Sequence, residues 1–442
     1  MEKRVQMRKG IMRIAIAGCV ALLAVVAASA QQKHGNRVSA DKNGMLSTRP
    51  GLTLHVAMSD GDIHILTGDS GQVSYRVHVE TSADDNNAQE ILNAYELSAR
   101  NDADGVVLIS RSPRLRWGHH LWITVNVTVP RSYNLDLATD GGNIQIADIQ
   151  GRVSATTDGG NISAGQVEGP ARLVTDGGHI LAKNIGGDLR AQTGGGDITV
   201  GSVAGSAVLR TGGGHIRVAS ITGTGRLDTG GGDISLEHAG AGLVVSTGGG
   251  EIEVGEASGL IRAQTGGGGI RVVKSLGPTQ LDTGAGSVYL MQVQSAVRAS
   301  TGAGGITAWF GPDAKLTSAC RLAAQDGDII VYLPKSLAVN VDAQVELGSG
   351  HRVIVDPAFP LKVTYGDPDE GSRAVRAEGA LNGGGATLFL RTVSGNIRLV
   401  LNDAEHEKQQ IDLLQQQMEK MRRQLEMNLM KMAQSQHDPD QQ

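Results

Sequence analysis

Five arginines pose the first chemical question. Arg172, Arg190, Arg226, Arg262 and Arg298 are separated by eighteen residues or by thirty-six. Guanidinium groups at a fixed interval along a regular backbone can hold an acidic polysaccharide or lipid headgroups, because each forms paired hydrogen bonds with a carboxylate or phosphate. The column also has a plain structural reading, since charges on an open sheet face keep sheets from pairing into aggregates. A second series, Asn143, Asn161, His179, Asp197, His215, Asp233, Glu251, Gly269 and Ser287, also recurs every eighteen residues. Repeated calcium sites need the same oxygen donor in each copy, and this series changes donor from copy to copy. No repeated metal site is therefore expected. Asp140, Asp158 and Asp176 form the one like-charged cluster that a cation would relieve. His119 and His120, beside Trp117 and Trp122, form the richest local group, and the expected role is a β edge sealing the first coil. Glycan hydrolysis or lysis needs carboxylates or basic groups converging on one groove. No copy gains such a cluster, so the sequence predicts no catalytic, cofactor-binding or metal-binding residues and no enzyme.

The elements that would carry these columns follow from the repeat itself. Thr139, Thr157, Thr175, Thr193, Thr211, Thr229, Thr247, Thr265, Thr283 and Thr301 each open a T-D/G-G/A-G-x-I/V segment. With Thr as position 1, positions 6 and 8 are aliphatic, as in Ile198 and Val200, position 17 is aliphatic, as in Val245, and position 15 is mostly apolar, as in Leu243. Alternation with period two on both sides of a turn means two half-buried strands per repeat. Position 13 is Gly in most copies and marks a second turn, and the glycines are expected to supply positive φ at both turns. Stacking residue i over i+18 gives an all-β fold, a parallel β-solenoid of ten regular 18-residue coils. At about 4.8 Å per coil it would form a rod segment on the order of 50 Å long. Parity continues from 15 and 17 to position 1, so the Thr column faces inward as an internal ladder, which disfavours an ice-binding face. The arginines, at position 16, face outward.

The flanks echo the theme. Ser59 to Ile63 before the array, and Gln325 to Ile329 and Val393 to Ile397 after it, repeat the turn signature, as terminal coils or caps would. A short helix is expected around Ile91, Leu92 and Tyr95, and Pro130 should end a strand that begins at Leu121. Residues 31–138 thus read as an N-terminal β region and cap, 139–312 as the regular repeats and 313–402 as a C-terminal β region. Residues 403–442 form a tail in which Ile411, Leu414, Met418, Met421 and Leu425 follow a 3-4-3-4 spacing. That spacing predicts an amphipathic helix of roughly three heptads, either folded over the last coil or pairing two copies through residues 411–432 as a coiled coil.

Residues 1–30 read as a signal peptide. Lys3, Arg4, Arg8, Lys9 and Arg13 precede an apolar run and the small residues Ala28, Ser29 and Ala30. Lipidation of Cys19 and an uncleaved anchor are the rival readings. Removing this leader takes the net charge from −5 to −9, which argues against a nucleic-acid partner, and leaves Cys320 as the single cysteine. Composition agrees with a narrow periodic fold: 62 of 442 residues are Gly, about twice the usual roughly 7%, while only 3% are aromatic.

Val127-Thr128-Val129-Pro130, Leu135-Asp136-Leu137, the Thr-x-x-Gly-x-Ile repeats, Leu381-Asn382-Gly383-Gly384-Gly385 and Ser394-Gly395-Asn396-Ile397-Arg398-Leu399 together carry a family resemblance. Over roughly Leu52 to Leu401 the chain resembles the bacterial putative-adhesin β-strand-repeat family, a domain of unknown function in exported proteins. The resemblance implies a periplasmic, outer-membrane or extracellular place and supplies no catalytic residues. The expected function is a non-catalytic, adhesin-like or structural module of the cell envelope, with an envelope glycan or protein as partner. The alternatives are a carbohydrate-binding or glycan-processing β-helix, and a scaffold that self-assembles through coil ends or the tail.

Overall fold

The computed structural model describes residues 31–34, 37–82, 88–113, 121–346, 350–366 and 374–402, with helical positions 408, 412–413, 416, 419–423, 426–427 and 430. The leader with Cys19, the Trp117, His119 and His120 group, and Ile411, Leu414, Met418 and Leu425 lie outside the described residues. Two compact units are present, Met1–Ile180 and Leu181–Gln442.

The first unit begins with antiparallel structure. Arg37–Ser47 pairs with Gln72–Ser82, which pairs in turn with Leu121–Pro130. The repeat then takes over. Asp62–Gly68 runs parallel to Leu121–Pro130 and to Ile144–Ile146, placing Ile63 beside Ile144, so the Ser59 to Ile63 segment serves as a coil of the array. Ile144 pairs with Ile162, and Leu135, Val153 and Ala171 stand in one row. The helix Ala88–Ala94 covers this region with Leu92, and Tyr95 follows it, both buried.

The second unit holds coils of the array as two parallel sheets. Sheet A holds positions 6 to 11 of each coil, from Ile198–Val203 to Ile306–Phe310, and sheet B holds positions 15 to 1, from Leu189–Thr193 to Val297–Ala303. Pairings between regular coils are offset by eighteen, as in Ile216↔Ile234 and Leu209↔Leu227, until the last, where the register shifts and Val293 stands opposite Phe310. After Ala303 the interval widens, with Arg298 beside Arg321. The returning chain inserts Thr387–Ser394 between Cys320–Asp326 and Val339–Val345, and Ile397–Asn402 between Ile329–Pro334 and Val353–Val355, while Val375–Leu381 pairs antiparallel with Val339–Val345. Val393 to Ile397 is therefore the turn of a coil, as its signature suggested.

The interior is a file of aliphatic side chains. Ile234, Leu236, Leu227 and Val245 are buried, each worth about 1.5–3 kcal/mol of apolar burial. An inward row absent from the sequence reading lies at position 11, with Val203, Ile221 and Ala239. Pairing passes from Val200 to Ser202 without Gly201, so the strand bends at position 9 and its parity resets. The Thr column is internal, as expected, but its hydroxyls do not bond one another. Thr229 Oγ1 donates to the Gly214 carbonyl at 2.8 Å and accepts the Gly232 N–H at 3.3 Å, and Thr211 does the same with Gly196 and Gly214. Each Thr therefore clasps its own turn to the coil before it.

Positive φ is not the reason for the array's glycines. In the first nine copies no glycine has positive φ, and Gly304, at position 4 of the tenth, is the exception. What requires Gly at position 4 is the coil below: a Cβ on Gly232 would sit 2.1 Å from the Gly214 carbonyl oxygen, while one on Gly231 would meet nothing within 4 Å.

Candidate functional site

The arginine column is placed by strand parity. Positions 15 and 17 are buried in each sheet B strand, so position 16 must face out. Arg172 belongs to the first unit, exposed and beside Ser154. In the second unit the register runs Arg190, Val208, Arg226, Val244, Arg262, Gln280, Arg298 and Arg321. Arg190, Arg226, Arg262 and Arg298 thus stand on alternate coils, all exposed. Among the described residues, Arg190, Arg262 and Arg298 make no ion pair. Arg226 binds Asp228 at 2.9 Å, and that carboxylate also receives Arg210 at 3.3 Å. Arg321 lies over the Phe389 ring at 5.3 Å. Arg210 and Arg321 were not singled out from the sequence: one sits at position 18, and the other lies beyond the regular interval.

The position-5 series has a structural task. The Asp197 carboxylate accepts the His215 N–H at 2.8 Å, His215 Nδ1 accepts the Asp233 N–H at 2.9 Å, and the Asp233 carboxylate accepts the Glu251 N–H at 2.8 Å. In the first unit Asn143 and Asn161 likewise accept from Asn161 and His179. Any side chain with an acceptor at that reach fits, which explains why Asn, Asp and His interchange there.

Sheet A presents a different surface. Glu253 pairs with Arg271 on the next coil at 3.6 Å, Glu256 with Lys274 at 3.0 Å and Asp197 with Arg217 at 3.3 Å. Met421 of the tail is only 6% exposed. With Lys420 it borders a pocket of about 230 Å³ lined by Arg217, Ser235, Glu237, Glu253 and Arg271. The tail thus rests on the side of the coils, away from the end position expected for a cap over the last coil. Burial pushes the Glu253 carboxyl above the ordinary glutamate range, against Arg271 and Lys420 and with Glu251 adding to the rise. Burial raises Glu237 too, opposed by His238 and Arg422 and reinforced by Glu426. Further along, Val273 and Met291 at position 9 form a second apolar cluster outside the tube, against which Trp309 packs, itself stacked on Tyr332 at 4.8 Å.

Residues 52–263 match the family model described as Toastrack DUF4097. This stretch is similar to the Toastrack family. The Toastrack match takes in Arg172, Arg190, Arg226 and Arg262 and stops short of Arg298 and the tail. No curated protein matches the chain. Among solved structures, a putative cell adhesion protein from Clostridium sporogenes is 9% identical, with 82% of this chain and 100% of that one covered at a TM-score of 0.17. A putative adhesin from Bacteroides fragilis is 11% identical, covering 82% and 96%, at a TM-score of 0.16. Likenesses at that level transfer no function to this chain.

Proposed function

We propose that the protein is an exported, non-catalytic β-solenoid acting as an adhesin-like or structural module of the cell envelope. The observation that supports this most is the in-register file of exposed arginines on sheet B. One residue type at a fixed interval suits many weak identical contacts, whose strength grows through multivalency. A reaction centre needs unlike groups converging on one point. The nearest approach to that is the Glu237 and Glu253 pocket on sheet A, and its bordering residues include Lys420 and Met421 of the tail. Those carboxyls therefore read as a seat for the helix.

Export rests on the basic and apolar leader of residues 1–30. Expressing the full chain in a bacterial host and sequencing the N-terminus of the protein outside the cytoplasm tests it. A new start near Gln31 is expected, and an intact leader on cytoplasmic protein would overturn the export reading. Incubation with acidic and neutral glycans tests the absence of catalysis: their chain lengths should stay unchanged, and new chain ends would sink that half of the reading.

A further inference from the structure

We infer that the sheet B face of the Leu181–Gln442 unit binds an extended acidic polysaccharide carrying one carboxylate per disaccharide. This rests on the non-catalytic surface reading above and names its ligand class.

The first support is spacing. Arg190, Arg226, Arg262 and Arg298 occupy every second coil of one in-register column, with Val208, Val244 and Gln280 between them. Parallel strands lie about 4.8 Å apart, so these guanidinium groups recur about every 9.6 Å. An extended β-linked disaccharide advances by a comparable length. A chain laid along the column would present one carboxylate to each arginine and one uncharged sugar to each intervening residue.

The second support is charge. Inside the protein, the arginines at 190, 262 and 298 are left without a carboxylate partner among the described residues, although the whole chain carries −5. On sheet A, by contrast, cations stand beside anions on the neighbouring coil. Isolated exposed guanidinium groups retain their full capacity for bidentate binding to a carboxylate. The third support is the rest of the face. Gln192, Ser246 and Gln264 at position 18 offer hydrogen-bonding groups for sugar hydroxyls, the carboxylates in that row, Asp228 and Asp282, are held by Arg226 and by Gln280 and Ser300, and Val208 and Val244 offer small apolar spots for the C–H face of a ring. Each contact alone is an exposed ion pair worth roughly 0.2–1 kcal/mol, so useful affinity depends on several engaging together at matching intervals.

The spacing gives the test. The chain lacking residues 1–30 is assayed against hyaluronan, with one carboxylate per disaccharide, against polygalacturonate, with a carboxylate on every sugar, and against vesicles of phosphatidylglycerol in phosphatidylcholine. Tighter binding of hyaluronan at equal carboxylate concentration is expected, weakening as salt rises. The triple variant R190Q/R262Q/R298Q should bind it at least tenfold more weakly while keeping the wild-type melting temperature. Gln280→Arg puts arginine on four successive rungs, from Arg262 to Arg321, and should move the preference toward polygalacturonate. Stronger wild-type binding to polygalacturonate or to the vesicles, or undiminished hyaluronan binding by the folded triple variant, would overturn the inference. Absence of hyaluronan binding would overturn it as well while leaving the scaffold reading standing, whereas hyaluronan cleavage would sink the scaffold reading itself.

Discussion

The two outward faces of the Leu181–Gln442 unit are made from the same coils and have opposite habits. On sheet A, charges of opposite sign stand on adjacent coils, Glu253 beside Arg271 and Glu256 beside Lys274, and the tail rests there through Met421. On sheet B, arginine alternates with valine or glutamine, and three of its four alternate-coil arginines have no ion-pair partner among the described residues. A parallel ladder places residue i over i+18 on both sides, so the difference lies wholly in side-chain choice. One face satisfies its own charges, and the other pairs Arg226 and Arg210 with Asp228 but keeps Arg190, Arg262 and Arg298 available.

The largest effect should come from what the two faces share. Gly232→Ala would drive a Cβ into the Gly214 carbonyl, and the two coils would have to separate. A loss of about 3 kcal/mol or more is expected in urea unfolding, while Gly231→Ala, one residue away in open space, should be nearly silent. Equal losses at the two sites would mean that coil contact is not what fixes glycine at position 4. Next comes the clasp. Thr229→Val keeps the shape but removes both hydrogen bonds and leaves the buried Gly214 carbonyl and Gly232 amide unpaired by that side chain. That should cost about 1–3 kcal/mol.

Sheet A can be separated from sheet B by acting on the tail. Met421→Asp places a charge where a buried methionine packs, and should remove most of the roughly 1.5–3 kcal/mol that burying it provides. Anisotropy of a dye on a Gln416→Cys variant should fall as the helix detaches, while glycan binding at sheet B stays unchanged. Docking should also depend on pH. Glu237 and Glu253 have raised carboxyl pKa values in the folded protein, so the folded state holds more protons than the unfolded one across the window above the ordinary glutamate value of about 4.3. Stability from the docked tail is therefore greatest below that window and declines as pH rises through the raised values. Glu253→Gln should flatten the decline. An unchanged slope would remove Glu253 from the seat.

The coil was legible in the sequence because one geometric constraint repeats ten times: inward Ile, Val, Leu and Thr at fixed positions leave little freedom in which strand faces where. The bend at position 9 was hidden, because its residues vary from Gly201 to Glu237 to Met291 and nothing in their types announces a corner. Glycine at position 4 was read as a φ requirement, when it answers to a carbonyl eighteen residues away that only the stacked structure brings near. The tail's 3-4-3-4 spacing revealed an apolar stripe without its partner. The partner, sheet A, is a surface of charged and small residues whose burial comes from contacts remote in the chain. The arginine file could be read because parity alone sends position 16 outward, while the pairing of Arg226 with Asp228 needed coordinates.

The smallest structural effect and the sharpest contrast belong to a single arginine. Arg262→Gln removes a guanidinium that touches no carboxylate among the described residues, on an exposed strand position whose neighbours on the adjacent coils are Val244 and Gln280. Stability should therefore change by no more than about 0.5 kcal/mol in urea unfolding. The matching change on sheet A, Arg271→Gln, leaves the Glu253 carboxylate without its partner on the next coil, in a site already desolvated. It should cost more than Arg262→Gln, because a half-buried charge loses compensation that water replaces only in part. The order of those two losses measures the asymmetry directly. If Arg262→Gln were the costlier, sheet B's arginines would be serving the fold, and the face would have no charge to spare for a ligand.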